Sequence, residues 1–232
     1  MSCVAIIPAR GGSKRIPRKN IKHFAGKPII AYSIEAALQS RLFDRVIVST
    51  DDREIAAVAE SFGAEVPFSR PPELADDHAG TSAVVKQCLE WLISHDVPVT
   101  HVCCLYATAP FLRVDFLRQG YQRLIESGKS YAFSVTSFPF PIQRAIRINA
   151  DGFVEAVSPE AIFCRSQDLE EIYHDAGQFY WGTADAFLHD VTIFSSASVP
   201  IILPRYLVQD IDTMEDWRRA ELMFAALREG EF

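Results

Sequence analysis

The chain has 232 residues, 49% hydrophobic and 23% charged, a balance that excludes a mainly disordered chain and supplies enough sequence for one large domain. No apolar run reaches the ~20 residues needed to span a bilayer, and the first residues lack a charged-then-apolar leader with a small-residue cleavage site, so a cytoplasmic location without membrane contact is expected. The net charge of −7 hides an asymmetry, because the first 34 residues carry seven Lys and Arg and no acid; the basic end is suited to an anion and the rest is a solvated acidic body.

Residues 3–9, Cys-Val-Ala-Ile-Ile-Pro-Ala, form an apolar run of the length of a strand buried on both faces, the start of a parallel sheet. From Pro28 the period becomes helical, with Ile30, Ile34, Ala37 and Leu38 on one stripe and Pro28 in the first turn. Residues 45–49 return to strand. Ile55, Ala59 and Phe62 mark the next helix, stopped by Gly63, and a short strand is expected over 64–68. Asp51 and Asp52, just ahead of that helix, suit its N-cap and dipole better than they suit a metal. A helix over 81–94, a strand over 100–105 and a helix through Val114, Leu117, Tyr121 and Leu124 that ends near Gly128 continue the alternation. The pattern over the first 136 residues predicts an α/β, Rossmann-like doubly wound, mostly parallel sheet with helices on both faces. Phe138-Pro139-Phe140-Pro141 then breaks the rhythm, and 145–157 reads as a hairpin turning at 149–152. Residues 1–232 are thus expected to be one domain carrying an insertion at about 138–175, a lid or a dimer arm. A strand near 201–203 and a helix over 214–227 close the chain. The five cysteines include no C-x-x-C pair and read mainly as core packing.

The segment Pro8-Ala9-Arg10-Gly11-Gly12-Ser13-Lys14-Arg15-Ile16-Pro17-Arg18-Lys19-Asn20 follows the first strand, at the edge where open α/β sheets bind ligands. Gly11 and Gly12 let the backbone approach a ligand and aim N–H groups at anionic oxygens, and the six cations from Arg10 to Lys22 match a polyphosphate. The spacing is neither the dinucleotide G-x-G-x-x-G nor the P-loop, which counts against hydride transfer and NTP hydrolysis. A solvated basic loop is the simpler alternative. Nucleic acid is not expected as a partner, because no aromatic residue interleaves with these cations and the remainder is acidic. Near the C-terminus Asp210 and Asp212 follow an extended apolar segment; in a strand, residues two apart share a face, so both carboxylates could meet one hard cation. Taken alone, the pair is explained as simply by Asp212 or Thr213 capping the last helix. Residues 173–181, Tyr-His-Asp-Ala-Gly-Gln-Phe-Tyr-Trp, fit a core strand or a sugar pocket equally well.

The loop resembles the fingerprint of the CMP-nonulosonate synthetases, the cytidylyltransferases that activate sialic, legionaminic and pseudaminic acids. The resemblance implies CTP and a nine-carbon acidic sugar as substrates, Mg2+ as cofactor, and a homodimer in which the 138–175 region reaches toward the partner's site. By this likeness Arg10, Ser13, Lys14 and Lys19 handle the triphosphate and Asn20 reads the cytosine, while Ala9, Gly11, Gly12, Arg70 and Thr81 complete the nucleotide site. Asp210 and Asp212 fall on the family's metal-holding Asp-x-Asp and, with Arg10 and Lys19, are the implied catalytic groups. The segment from Leu105 to Arg113 is similar to the family's Gln-Pro-Thr-Ser-Pro but departs at Tyr106, Ala107 and Ala109, leaving Thr108. It holds no carboxylate, which counts against a Kdo or hexose-1-phosphate enzyme. Thr108, Asp175, Gln178 and Tyr180 are the implied sugar contacts. The wording of 173–181 is closer to the pseudaminic acid branch than to the sialic acid branch with its Arg-Pro-Asn-Gly-Ala. The expected reaction is CMP transfer from CTP to pseudaminic acid, with legionaminic or N-acetylneuraminic acid as alternatives and a non-catalytic nucleotide-binding module as a remote one.

Overall fold

A computed structural model describes residues 2–75 and 80–230. In chain order the elements are β1 (Cys3–Pro8), the two-residue strands β2 (His23–Phe24) and β3 (Lys27–Pro28), α1 (Ile29–Ser40), β4 (Arg45–Ser49), α2 (Arg53–Ser61), α3 (Thr81–Ser94) and β5 (His101–Leu105). There follow α4 (Val114–Ser127), β6 (Tyr131–Ser137), β7 (Ile146–Ile148), β8 (Val154–Ala156), β9 (Tyr173–Thr183), α5 (Ala184–Leu188), β10 (Ser198–Ile202) and α6 (Met214–Glu229). Six strands make the main sheet in the order β10-β6-β9-β5-β1-β4. All are parallel except β9, which runs antiparallel to both β5 and β6.

The apolar run of β1 is buried on both faces because alternate residues feed two cores. Ala5 and Ile7 pack with Ile30 and Ile34 of α1, Ile55 and Ala59 of α2, and Leu117 and Leu124 of α4. Val4 and Ile6 face the other way, against Val84, Val85, Cys88 and Leu89 of α3 and Phe187 of α5. A third cluster lies beyond the strand ends, where Ile16 of the basic loop and Ile211 between the two aspartates are buried together with Phe24, Phe111 and Trp217. Burying an isoleucine stabilises by roughly 1.5–3 kcal/mol. These two draw the cationic loop and the acidic pair, nearly two hundred residues apart in sequence, to one place.

Several local expectations change. Pro28 is the N-cap of α1 and lies outside its first turn. Residues 64–68 make no strand but one isolated bridge, Ile47 with Glu65, followed by a second just beyond, Thr50 with Ser69, because Pro67 removes a ladder donor. Asp210 and Asp212 do not lie in a strand; a 3-10 turn at Arg205–Leu207 precedes them and residues 208–213 are irregular. Thr213, not Asp212, caps α6: Thr213 Oγ1 accepts from Asp216 N at 3.2 Å and the Asp216 carboxylate accepts from Thr213 N at 2.8 Å, a reciprocal capping box. Four cysteines are buried and Cys164 is exposed. Between β6 and β9 the chain leaves the sheet, and β7 and β8 pair antiparallel about a turn in which Asn149 Oδ1 accepts from Asp151 N and Phe153 N. Ile146, Ile148, Phe153, Val154 and Phe163 of this excursion are exposed.

Candidate active site

The basic loop hangs from β1 by contacts with the β4–α2 corner. Ala9 is buried and its N–H donates to the Ser49 carbonyl at 2.9 Å. Gly11 N–H donates to Asp51 Oδ1 at 2.9 Å, so this donor is committed within the protein and does not serve an anionic ligand as the sequence suggested. A Cβ on Gly11 would lie 2.8 Å from Asp52 Oδ2, whereas one on Gly12 would meet nothing within 4 Å. Gly11 is therefore required by packing, and Gly12 borders open space. Asp52 caps α2, its Oδ1 accepting from Glu54 N and Ile55 N. The Arg18 guanidinium, in a left-handed turn at φ 58°, bonds Asp52 and Glu54. That bond, aided by the two backbone donors and the ion pair, holds the Asp52 carboxyl down at about 2. Lys22 lies 5.5 Å over the Trp217 ring. Of the six loop cations, Arg18 and Lys22 thus secure the loop, while Arg10, Lys14, Arg15 and Lys19 line a cleft of about 580 Å³.

Ser13, Asn20, Arg70, Thr81 and Thr108 border the same cleft, together with Tyr106 and Asp212. Asn20 Nδ2 donates to the Arg10 carbonyl at 2.9 Å and ties the ends of the loop together. Arg70 is 4% exposed; its Nε donates to Ser49 Oγ at 3.1 Å and its guanidinium to the Ser49 carbonyl. Burial pushes its pKa down, and among the described residues it has no carboxylate ion pair. A desolvated, unneutralised guanidinium at a cleft wall favours an anionic ligand.

Ile211 is buried, and the carboxylates on either side of it serve different spaces. Asp212 lines the nucleotide-sized cleft, 2.9 Å from Arg15 Nη2 and 3.4 Å from Lys19 Nζ; Lys19 also donates to the Ile211 carbonyl at 2.7 Å. Asp210 lines a second cavity of about 600 Å³, and Tyr106 belongs to the walls of both. Burial first and the Asp212 charge second push the Asp210 pKa up, with Lys19 opposing. The chemistry of this donor set fits Mg2+, a hard cation that accepts one or two carboxylates and completes its shell with water and phosphate oxygens. No group of three or more His, Cys, Asp or Glu residues among those described offers a fuller cage.

The second cavity is shaped by a bulge in β9 opposite Phe133 and Val135, where Gly177 takes φ 60°. His174, Asp175 and Gly177 face it. Asp175 accepts from Gly177 N at 2.9 Å and from the Tyr180 hydroxyl. Tyr180 is buried and borders a smaller recess shared with Asp175 and Tyr106; burial, then the neighbouring Tyr106 and Asp175, push its phenol far up. Gln178 lines neither main cavity. Its Nε2 donates to the Leu207 carbonyl at 2.5 Å, fixing the segment that leads to Asp210. Arg15, Arg205 and Arg219 were not singled out from sequence, nor was Tyr106 retained; Arg15 alone carried a usable signal, its place in the cationic run.

A family model described as Cytidylyltransferase matches residues 4–220. The chain is 48% identical over 232 residues to pseudaminic acid cytidylyltransferase of Campylobacter jejuni subsp. jejuni serotype O:2, covering 100% of both. It is 35% identical over 240 residues to the CMP-N,N'-diacetyllegionaminic acid synthase of Legionella pneumophila subsp. pneumophila, covering 99% of each. The solved structure of CMP:2-keto-3-deoxy-manno-octonic acid synthetase complexed with CTP shares the fold, with a TM-score of 0.69 at 18% identity over 97% of this chain and 99% of that one.

Proposed function

The chain belongs to the cytidylyltransferase family, and on that premise we propose that it transfers CMP from CTP to the anomeric hydroxyl of pseudaminic acid and releases pyrophosphate. The observation that carries the reading is the Asp-x-Asp at the boundary of two cavities, one cationic and sized for a nucleotide, the other polar, within a chain that matches pseudaminic acid cytidylyltransferases end to end.

Arg10, Lys14, Arg15 and Lys19 hold the triphosphate, with Ser13 and the open backbone at Gly12 beside it. Arg70, Thr81, Asn20 and Ala9 shape the nucleoside end. Arg15 and Lys19, which neutralise Asp212 in the free protein, turn to phosphate oxygens when CTP enters. The sugar hydroxyl attacks the α-phosphorus in line from the second cavity, with Asp175 and Tyr180 on the sugar side and Thr108 on the wall of the nucleotide cleft, and no enzyme nucleophile takes part. Positioning and charge stabilisation lower the barrier. Asp210 and Asp212 would hold Mg2+, which when bound neutralises phosphate charge and favours loss of the hydroxyl proton. Residues 1–232 act as one domain in the cytoplasm, where CTP is available. The exposed apolar residues of the 138–175 insertion support a homodimer formed through it.

The test is pyrophosphate release measured with CTP, Mg2+ and, in parallel, pseudaminic, legionaminic and N-acetylneuraminic acids. Release requiring all three components, with the highest kcat/KM for pseudaminic acid, is expected. Release without sugar, or preference for another acid, overturns the assignment. Asp212→Asn lowers turnover by roughly two to three orders of magnitude, the scale of losing one preorganised electrostatic group, and leaves the fold intact.

A further inference from the structure

The second cavity contains two cations that the triphosphate site does not use. Arg205 and Arg219 are the only Lys or Arg residues lining it among those described. Arg219 sits on α6 between the buried Trp217 and Ala220, so the helix is anchored where the side chain leaves it. Among the described residues no ion pair holds Arg219; the nearby Asp216 carboxyl is held down first by its hydrogen bonds from Thr213, with the Arg219 charge a lesser contribution. Arg205 opens the 3-10 turn before Asp210 and spends one N–H on the Phe138 carbonyl at 3.2 Å, which leaves the rest of its donor fork available. The other acid of the cavity wall, Asp175, is already occupied by Tyr180 and Gly177.

The chemistry of the sugar gives these arginines a task. In a 2-ulosonic acid the carboxylate is bonded to the anomeric carbon itself, so placing the attacking hydroxyl at the Asp-x-Asp brings a third carboxylate beside Asp210 and Asp212 and close to a triphosphate. Without local positive charge on the sugar side, that approach is repulsive. The cations of the basic loop and Arg70 line the other cleft. Guanidinium is the group whose planar donor fork matches a carboxylate.

We propose that Arg205 and Arg219 form the subsite for the C1 carboxylate of the acceptor sugar, and so restrict the second cavity to free ulosonic acids over their esters and over neutral sugars. The inference rests on the cytidylyltransferase reading of the site.

The test uses the full-length enzyme and the variants Arg205→Met, Arg219→Met and Arg219→Lys, with CTP and sugar varied separately and the sugar offered as the free acid and as its C1 methyl ester. Each Met variant is expected to raise the KM for the acid about 10- to 100-fold, the range for losing a charge-assisted contact, with the KM for CTP and the Tm unchanged. The wild type discriminates against the ester by a similar factor. That discrimination shrinks in the Met variants and returns in part in Arg219→Lys, which a merely structural role would not produce. Met variants that keep the full preference for acid over ester, or hold the acid's KM within twofold of wild type, overturn the proposal. If the wild type releases no pyrophosphate with any sugar, the reaction assignment falls, and calorimetric binding of acid against ester decides the subsite alone. Acid preference lost in Arg219→Met supports it; no preference in the wild type removes it.

Discussion

The two adjacent glycines of the basic loop give a sharp prediction, because they occupy opposite environments. In Gly11→Ala the new methyl would sit 2.8 Å from Asp52 Oδ2 and 3.0 Å from Asp52 Cβ, too close for either to stay. Asp52 cannot yield freely, since its carboxylate caps α2 through Glu54 N and Ile55 N and holds Arg18. Overpacking costs about 1–3 kcal/mol and a weakened cap about 1 kcal/mol. Neither glycine has a positive φ, so backbone strain adds nothing. The expected destabilisation of about 2–3 kcal/mol corresponds to a fall in Tm of about 5–10 °C for a chain of this size. Gly12→Ala meets no atom and lowers only the entropy of the unfolded chain, so its Tm stays level or rises, by about 0.4–1 kcal/mol in stability. On the proposed placement of the triphosphate its methyl meets the phosphates, and the KM for CTP is expected to rise. Thermal denaturation of the three proteins without ligand, followed by CTP titration, reads both effects. A Gly11→Ala Tm within 1 °C of the Gly12→Ala Tm would refute the packing argument.

Asp52 supplies a second test through pH. Its carboxyl titrates at about 2 against 3.8 for an ordinary aspartate, so its contribution is fully present above the unfolded value and is lost as pH falls through about 2. Arg18→Met therefore costs about 1 kcal/mol above pH 4, after allowance for solvent screening of the partly exposed pair, and progressively less as pH falls through about 2; urea unfolding at stepped pH measures the difference. Arg70→Met exchanges a buried guanidinium for an apolar side chain, so stability stays within about 1 kcal/mol while the KM for CTP rises about 10- to 100-fold, as read by denaturation and steady-state kinetics. Ile148→Glu or Phe153→Glu, at hairpin residues 74% and 69% exposed, is expected to convert the proposed homodimer to a monomer in sedimentation velocity; a wild type that is monomeric, or a variant that remains dimeric, argues against assembly through the insertion.

The sequence announced β1, α1, β4, α3, β5 and α4 because each is a local apolar run or stripe whose period survives folding. It also announced the cleft, since glycine, cations and a strand end lie within one short stretch. What it concealed depends on contacts between distant segments. Nothing near Arg18 or Lys22 distinguishes them from Lys14 or Lys19, yet the first pair is held by Asp52, Glu54 and Trp217 and the second lines the cleft. Whether Asp212 or Thr213 capped α6 could be decided only by the Asp216 geometry. Tyr106, a departure from the family segment, lines both cavities. Arg205 and Arg219 flank the aspartates with no motif of their own and share a cavity only because the turn before Asp210 and the helix after it fold back on each other.

The antiparallel strand β9 has a consequence for assembly in time. Among the described residues it is the only strand that joins β5 to β6, and hence the β4-β1-β5 half of the sheet to the β6-β10 half. A nascent chain that has emerged only to residue 172 carries β5 with one unpaired side and β6, which also awaits β10, with two, adhesive borders of the kind that drive misassociation. Closure of the sheet waits for residues 173–183 to wedge between strands already made. Tyr106 follows β5 and Asp210 follows β10, so the cavity they share with His174, Asp175 and Gly177 forms only after β9 has bridged β5 to β6 and the chain beyond β10 has emerged.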